Sequence, residues 1–197
     1  MAVRVVIAED EAIIRLDLRE TLEEQGYEVV GETGRGDEAV QLVREHRPDL
    51  AILDIRMPGM DGLSAAREIS ADGHSAILIL TAFSQRNLIE EARDAGALAY
   101  LVKPFTQTEL VPAIEVAIGR FKEMQAIREA NASLEEQLAT RRAVDRAKGV
   151  LMDDYDMKES EAFRFVQQTA MRERRTMREV AEDVISGSLR PSPAEEA

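Results

Sequence analysis

Five short apolar runs, each followed by a stretch of helical periodicity, leave few folds open to the first 121 residues. The runs cover 3–8, 28–32, 50–53, 76–80 and 99–102, and helical patterns occupy 12–25, 36–46, 62–71, 85–95 and 107–121. Runs rich in β-branched residues and apolar on both faces belong to strands covered from both sides. Alternating with helices, such strands build a parallel sheet, because every parallel neighbour needs a crossover. The expected fold class is α/β, a flavodoxin-like, doubly wound (βα)5 sheet.

Functional groups in such a sheet collect beyond the carboxyl ends of the strands, near the point where strand order reverses. Glu9, Asp10 and Glu11 follow the first run, Asp54 ends the third, Thr81 the fourth, and Lys103-Pro104 the fifth. Each has an ordinary use alone: acids favour helix N-termini, Asp suits turns, Thr suits strands and Lys suits solvated surfaces. On four correct strand ends they describe a pocket. Crowded carboxylates stay ionised only when a cation joins them. Mg²⁺ fits, being a hard ion held by one or two carboxylates plus phosphate oxygens. Asp54 can then attack a phosphoryl group whose charge is met by the metal, Lys103 and the Thr81 hydroxyl, giving an aspartyl phosphate.

The segments Ile7-Ala8-Glu9-Asp10-Glu11, Leu53-Asp54-Ile55-Arg56-Met57-Pro58-Gly59-Met60-Asp61-Gly62, Leu80-Thr81-Ala82 and Tyr100-Leu101-Val102-Lys103-Pro104-Phe105 resemble, in order and spacing, the receiver domain of bacterial two-component response regulators. The resemblance covers about 3–121. It implies that Asp54 is the phospho-acceptor, that Glu9 and Asp10 join it as Mg²⁺ carboxylates, and that Arg56 lends its backbone carbonyl. It further implies that Thr81 and Tyr100 are the switch hydroxyl and aromatic, that Lys103 binds the phosphate, and that the Lys103-Pro104 bond is cis. Glu9 stands where Asp is commoner, which keeps the charge and lengthens the arm. The implied partner is a sensor histidine kinase, and the implied chemistry is limited to the receiver's own phosphoryl transfer and dephosphorylation. New charge on Asp54 would draw Thr81 toward it, with Tyr100 filling the space behind.

Beyond Phe121 the strand pattern stops, and 107–153 reads as one long helix. Within 122–136 and just past it, Met124, Ile127, Asn131, Leu134 and Leu138 fall at spacings of three and four, a short coiled-coil seam that packs either on its own chain or on a second copy. Two shorter helices follow. One runs over 159–172 with Ala162, Phe163, Val166 and Ala170 on one face; the other opens with the capping box Thr176-Met177-Arg178-Glu179 and stops at Gly187. The expectation is a small all-α three-helix bundle over 137–187 and a disordered tail over 188–197.

The stretch Arg141-Arg142-Ala143-Val144-Asp145-Arg146-Ala147-Lys148-Gly149-Val150-Leu151-Met152, with Glu161-Ala162-Phe163 and Val180-Ala181 after it, resembles the ANTAR domain. That family is a three-helix RNA-binding antiterminator module that binds paired hairpins in nascent transcripts. The whole chain resembles receiver–ANTAR response regulators of the mycobacterial type. The resemblance implies that Arg141, Lys148 and Gly149 face RNA with Arg142, Arg146 and Arg174 as basic support, and that Ala147, Met152, Ala162, Phe163 and Ala181 are core. Tyr155 could offer a stacking platform of the kind that reads unpaired bases. Lys158 stands where the family usually has Ser or Thr as a helix cap.

Composition narrows the alternatives. With no Cys and two His, disulfides, thiolate zinc sites and thiol nucleophiles are out. The net charge of −13 opposes a general nucleic-acid coat. Residues 1–121 carry 12 Lys and Arg against 22 Asp and Glu, whereas 137–186 is balanced at 10 of each, so RNA affinity there must come from local placement. No apolar run reaches the ~18 residues of a membrane span, and acidity from Glu9 onward leaves no signal-peptide core. The expectation is a cytoplasmic regulator whose phosphorylation promotes pairing. The rival is a protein-docking output from the same helices. An Asp-nucleophile phosphatase ranks last, because Arg56 occupies the place of its second Asp.

Overall fold

The five apolar runs become one parallel sheet of β1 (Arg4–Ala8), β2 (Glu28–Thr33), β3 (Leu50–Asp54), β4 (Ala76–Thr81) and β5 (Ala99–Val102), in the order β2-β1-β3-β4-β5. The structure is a computed structural model that describes residues 2–82 and 86–191. The crossovers are α1 (Ala12–Glu24), α2 (Gly36–His46), α3 (Gly62–Asp72) and α4 (Arg86–Asp94), and α5 (Gln107–Tyr155) follows β5. Two compact units result, Met1–Gln125 and Ala126–Ala197.

Alternation along each strand sorts the first unit into two apolar layers. Val5, Ile7, Leu50, Ile52, Leu78 and Leu80 face Leu18 and Leu22 of α1 with Leu110, Ile114 and Ala117 of α5. Val6, Ala8, Ala51, Leu53, Ile77 and Ile79 face α2, α3, Ala92 of α4 and Ala95 just after it. Both faces are covered, which is why β3 and β4 are buried along their whole length. β1 pairs with β2 on one edge and β3 on the other, so the order reverses there and a crevice opens past Ala8 and Asp54. Gly62 lets α3 close against that crevice, since a Cβ at this position would lie 1.9 Å from the Asp54 carbonyl oxygen.

In the second unit the end of α5 packs with α6 (Glu159–Glu173) and α7 (Met177–Ser186). Val144, Ala147 and Leu151 meet Ala162, Val166 and Ala170, and Val180, Ala181 and Val184 complete the core. α5 ends at Tyr155, and Asp156 after it turns left-handed with a φ of 51°. Thr176 caps α7 in the expected box, accepting from Glu179 N at 3.2 Å while Glu179 accepts from Thr176 N at 2.8 Å. At Lys158 only half of such a box can form, because an ammonium accepts nothing; Glu161 accepts from Lys158 N at 2.9 Å.

Three expectations need correction. Met152 and Phe163 are not core, being 41% and 42% exposed: the stripe of small residues around Ala147 and Ala162 lets the helices approach closely and leaves large side chains at the margins. Leu189, in the stretch expected to be disordered, packs on the bundle core, because the left-handed Gly187 turns the chain back and Leu189 N donates to Asp183 O at 3.1 Å. The remainder of that tail, 192–197, lies outside the described residues.

Candidate functional site

β1 ends into Glu9 and Asp10, β3 ends on Asp54 and β5 runs into Lys103, so parallel strand geometry alone delivers all four to one crevice. Carboxylate oxygens of Glu9, Asp10 and Asp54 lie within 4.8 Å of one another. Lys103 Nζ bridges two of them, at 2.5 Å from Glu9 Oε2 and 2.8 Å from Asp54 Oδ1. The Arg56 backbone N–H donates to Asp54 Oδ2 at 3.1 Å. Glu9 is wholly buried and Asp54 nearly so, while Asp10 is exposed at the mouth. The cavity is about 320 Å³ and includes Thr81, Ala82 and the Arg56 side of the loop.

Burial pushes the Glu9 carboxyl up, with the Asp54 charge adding to the effect and the Lys103 ammonium opposing it. Burial pulls Lys103 down, but its hydrogen bonds to Asp54 and Glu9 outweigh that and hold it above the ordinary lysine range. Three hard oxygen donors, one buried cation and a mouth open at Asp10 suit a divalent ion together with a phosphoryl group. Thr81 is buried, whereas Tyr100 is 44% exposed. Between them Ile55, Ile79, Leu88 and Ile89 close a void too tight for a water. The Lys103-Pro104 bond is cis.

In the bundle the basic residues singled out from sequence divide into two kinds. Lys148 is held by Asp145 at 2.9 Å and Glu159 at 2.8 Å, and these hydrogen bonds, Glu159 first, lift its pKa. Arg141 reaches Asp145 at 4.0 Å. No ion pair is seen at Arg142, Arg146 or Arg174 among the described residues, and all three are exposed. Arg142 and Arg146 line a shallow groove of about 400 Å³ with Arg178, Glu182 and Ile185. A Cβ on Gly149 would meet nothing within 4 Å, so no packing inside the chain requires glycine there. Sequence reasoning missed Glu159 and Glu136, which pair with Lys148 and Arg178 across the bundle, since such pairs leave no periodic trace.

A family model for the response regulator receiver domain matches residues 5–115, more than half of the chain. The chain belongs to the response regulators. A second model, for the ANTAR domain, matches residues 132–185. The transcriptional regulatory protein PdtaR of Mycobacterium tuberculosis is 55% identical over 182 residues, covering 92% of this chain and 89% of PdtaR. The chemotaxis protein CheY of Bacillus subtilis is 39% identical over 120 residues, or 60% of this chain and all of CheY. Among solved structures, the receiver domain of the M. tuberculosis response regulator NarL superposes with a TM-score of 0.58 at 33% identity, covering 60% of this chain and 97% of that one. This response regulator therefore joins a CheY-like receiver to an ANTAR domain and acts in transcription regulation. Among its described residues no helix is long and apolar enough to cross a membrane.

Proposed function

We propose that this response regulator is cytoplasmic, that a sensor histidine kinase phosphorylates it on Asp54, and that its ANTAR bundle binds tandem RNA hairpins in nascent transcripts to control termination. The observation that carries the first half is the pair of buried carboxylates, Glu9 and Asp54, bridged by one ammonium beside the exposed Asp10. In the transfer an Asp54 carboxylate oxygen bonds to phosphorus as the P–N bond of the donor phosphohistidine breaks and the imidazole leaves. Lys103 meets charge on the transferred group, and Thr81 donates its hydroxyl to it. Glu9, Asp10, Asp54 and the Arg56 carbonyl would hold Mg²⁺, which when bound supplies charge neutralisation at the phosphoryl oxygens. Ile13, 84% exposed, and Leu16, one turn apart in the first half of α1, offer apolar surface to the donor protein.

The second half rests on the exposed cations Arg142, Arg146 and Arg174, with Arg141 and Lys148 already paired to carboxylates nearby. Gly149, half-buried on α5 but with open space at its Cβ position, gives a phosphate or ribose room for close approach. The receiver would occupy 1–121 and the RNA-binding module 137–187. Ile127, Leu134 and Leu138, each more than half exposed, favour pairing of two copies through α5. Two bundles on one dimer would then engage two hairpins at high effective concentration.

The test is binding to a tandem-hairpin RNA with and without Asp54 phosphorylation, across a salt series. Tighter, salt-dependent binding on phosphorylation is expected, and alanine at Arg142 and Arg146 should reduce both affinity and salt slope. Phosphorylation-dependent dimers without RNA affinity would instead favour the protein-docking reading, which the same apolar stripe on α5 supports.

A further inference from the structure

Phe163 is an aromatic ring left at a groove rather than in a core. It lines a cleft of about 540 Å³ between α5 and α6, with Val144 and Met177 completing the apolar floor. The rim carries two acids and two bases, and each already has an ion-pair partner. Glu136 pairs with Arg178 at 2.9 Å, Asp145 pairs with Lys148 at 2.9 Å, and Lys148 also pairs with Glu159 at 2.8 Å. Arg141 leans on Asp145 at 4.0 Å. A phosphate would gain little at a rim so neutralised. A flat, uncharged group with donors and acceptors on its edge would gain an apolar floor, one ring face and carboxylate, amide and hydroxyl partners from Asp145, Gln137 and Thr140. The exposed Arg142 and Arg146 lie on the opposite flank of the same helix, about 100–140° around from Arg141. The phosphate-seeking and ring-seeking groups thus lie on different flanks of one helix, and single-stranded nucleic acid is held by such stacking and backbone charge in combination.

We infer that this cleft takes one unpaired base of the bound RNA, stacked on Phe163, while Arg142 and Arg146 carry the backbone. The inference rests on the RNA-binding reading and names the part of the RNA that the cleft selects. Stacking on an aromatic ring costs about tenfold or more in affinity when the ring is removed.

The experiment uses the full chain and the tightest binder selected from tandem-hairpin RNAs with randomised loops. Wild type, Phe163→Leu and Phe163→Tyr are each measured against the intact RNA and against RNAs with one loop nucleotide made abasic. The expected result is a roughly tenfold loss for F163L, near-wild-type binding for F163Y, and one loop position where removing the base weakens wild type but not F163L. Unchanged thermal melting of F163L would show that the bundle stays folded. Additive losses at every loop position, or full affinity in a folded F163L, would overturn the inference while leaving RNA binding intact. If F163L melts early, F163Y with the abasic series on wild type decides alone: no base-dependent position overturns it. No selected RNA binding to wild type would overturn the RNA-binding reading and this inference together.

Discussion

Lys103 and Lys148 each bridge two carboxylates at nearly equal distances, yet the two regions use the arrangement for opposite ends. Lys103 lies between Glu9 and Asp54, whose side chains are 0% and 7% exposed. Lys148 lies between Asp145 and Glu159, at 56% and 69%. In the receiver the acids are buried, so solvent screens them little, and the Lys103 ammonium together with the Arg56 backbone N–H offsets their crowding in a pocket that suits a further cation. In the bundle, water already screens the acids, and the pairs mainly remove charge from a surface. Equal geometry therefore does not mean equal energy.

The largest effect that would sharpen this contrast is loss of chemistry. Asp54→Asn should abolish phosphate incorporation from a small phosphodonor, read by intact-protein mass; incorporation at any comparable level would place the acceptor elsewhere. Next comes stability. Lys103→Met leaves two buried carboxylates unopposed and should cost about 3 kcal/mol in urea unfolding of the receiver, with Mg²⁺ restoring part of the loss through the same carboxylates. Lys148→Met should leave the bundle's melting curve near wild type. Equal losses from the two would break the comparison.

A subtler test separates folding from contact. Gly149 sits inside a helix with open space at its Cβ, so Gly149→Ala should stabilise the bundle by up to about 1 kcal/mol, yet weaken RNA binding by filling the approach. Stabilisation with unchanged affinity would remove Gly149 from the interface. The smallest effect concerns Tyr27, whose pKa is pushed up to about 12 from an ordinary 10, by burial first and then by its hydrogen bond to Glu115. The folded chain thus keeps a proton that the unfolded chain loses. The associated stability is complete below pH 10 and declines as pH rises toward 12. Denaturation of wild type and Tyr27→Phe across pH 9 to 11 should show a shallower decline in the variant.

The receiver was legible because its strands are short and its central ones apolar and covered on both faces, so periodicity marks them within a residue or two, and the strand-end rule then brings distant side chains together. Asp54 and Lys103 needed no more than that. What Lys103 does there was less legible: that it bridges Glu9 as well as Asp54 depends on the longer Glu9 arm and on its complete burial. The bundle yielded its helices but not its surface. Phe163 follows the buried Ala162 directly and falls at the margin of the apolar stripe, where periodicity cannot tell a core ring from a cleft ring. Lys148 carried the right charge for RNA, while its neutralising partner Glu159 lies 11 residues on, beyond the reach of any helical spacing.

The Lys103 to Glu9 contact also spans 94 residues, joining the end of the first strand to the end of the last. A contact of that separation closes late, after the local helices and the central strand pairs have met their loop-closure costs. During synthesis, a chain with β1 to β4 made and β5 still unmade holds its acids without their ammonium. Under the proposed transfer to Asp54, competence to accept phosphate would arrive with the final strand, and a kinase would meet a working acceptor only on receivers whose sheet has been finished.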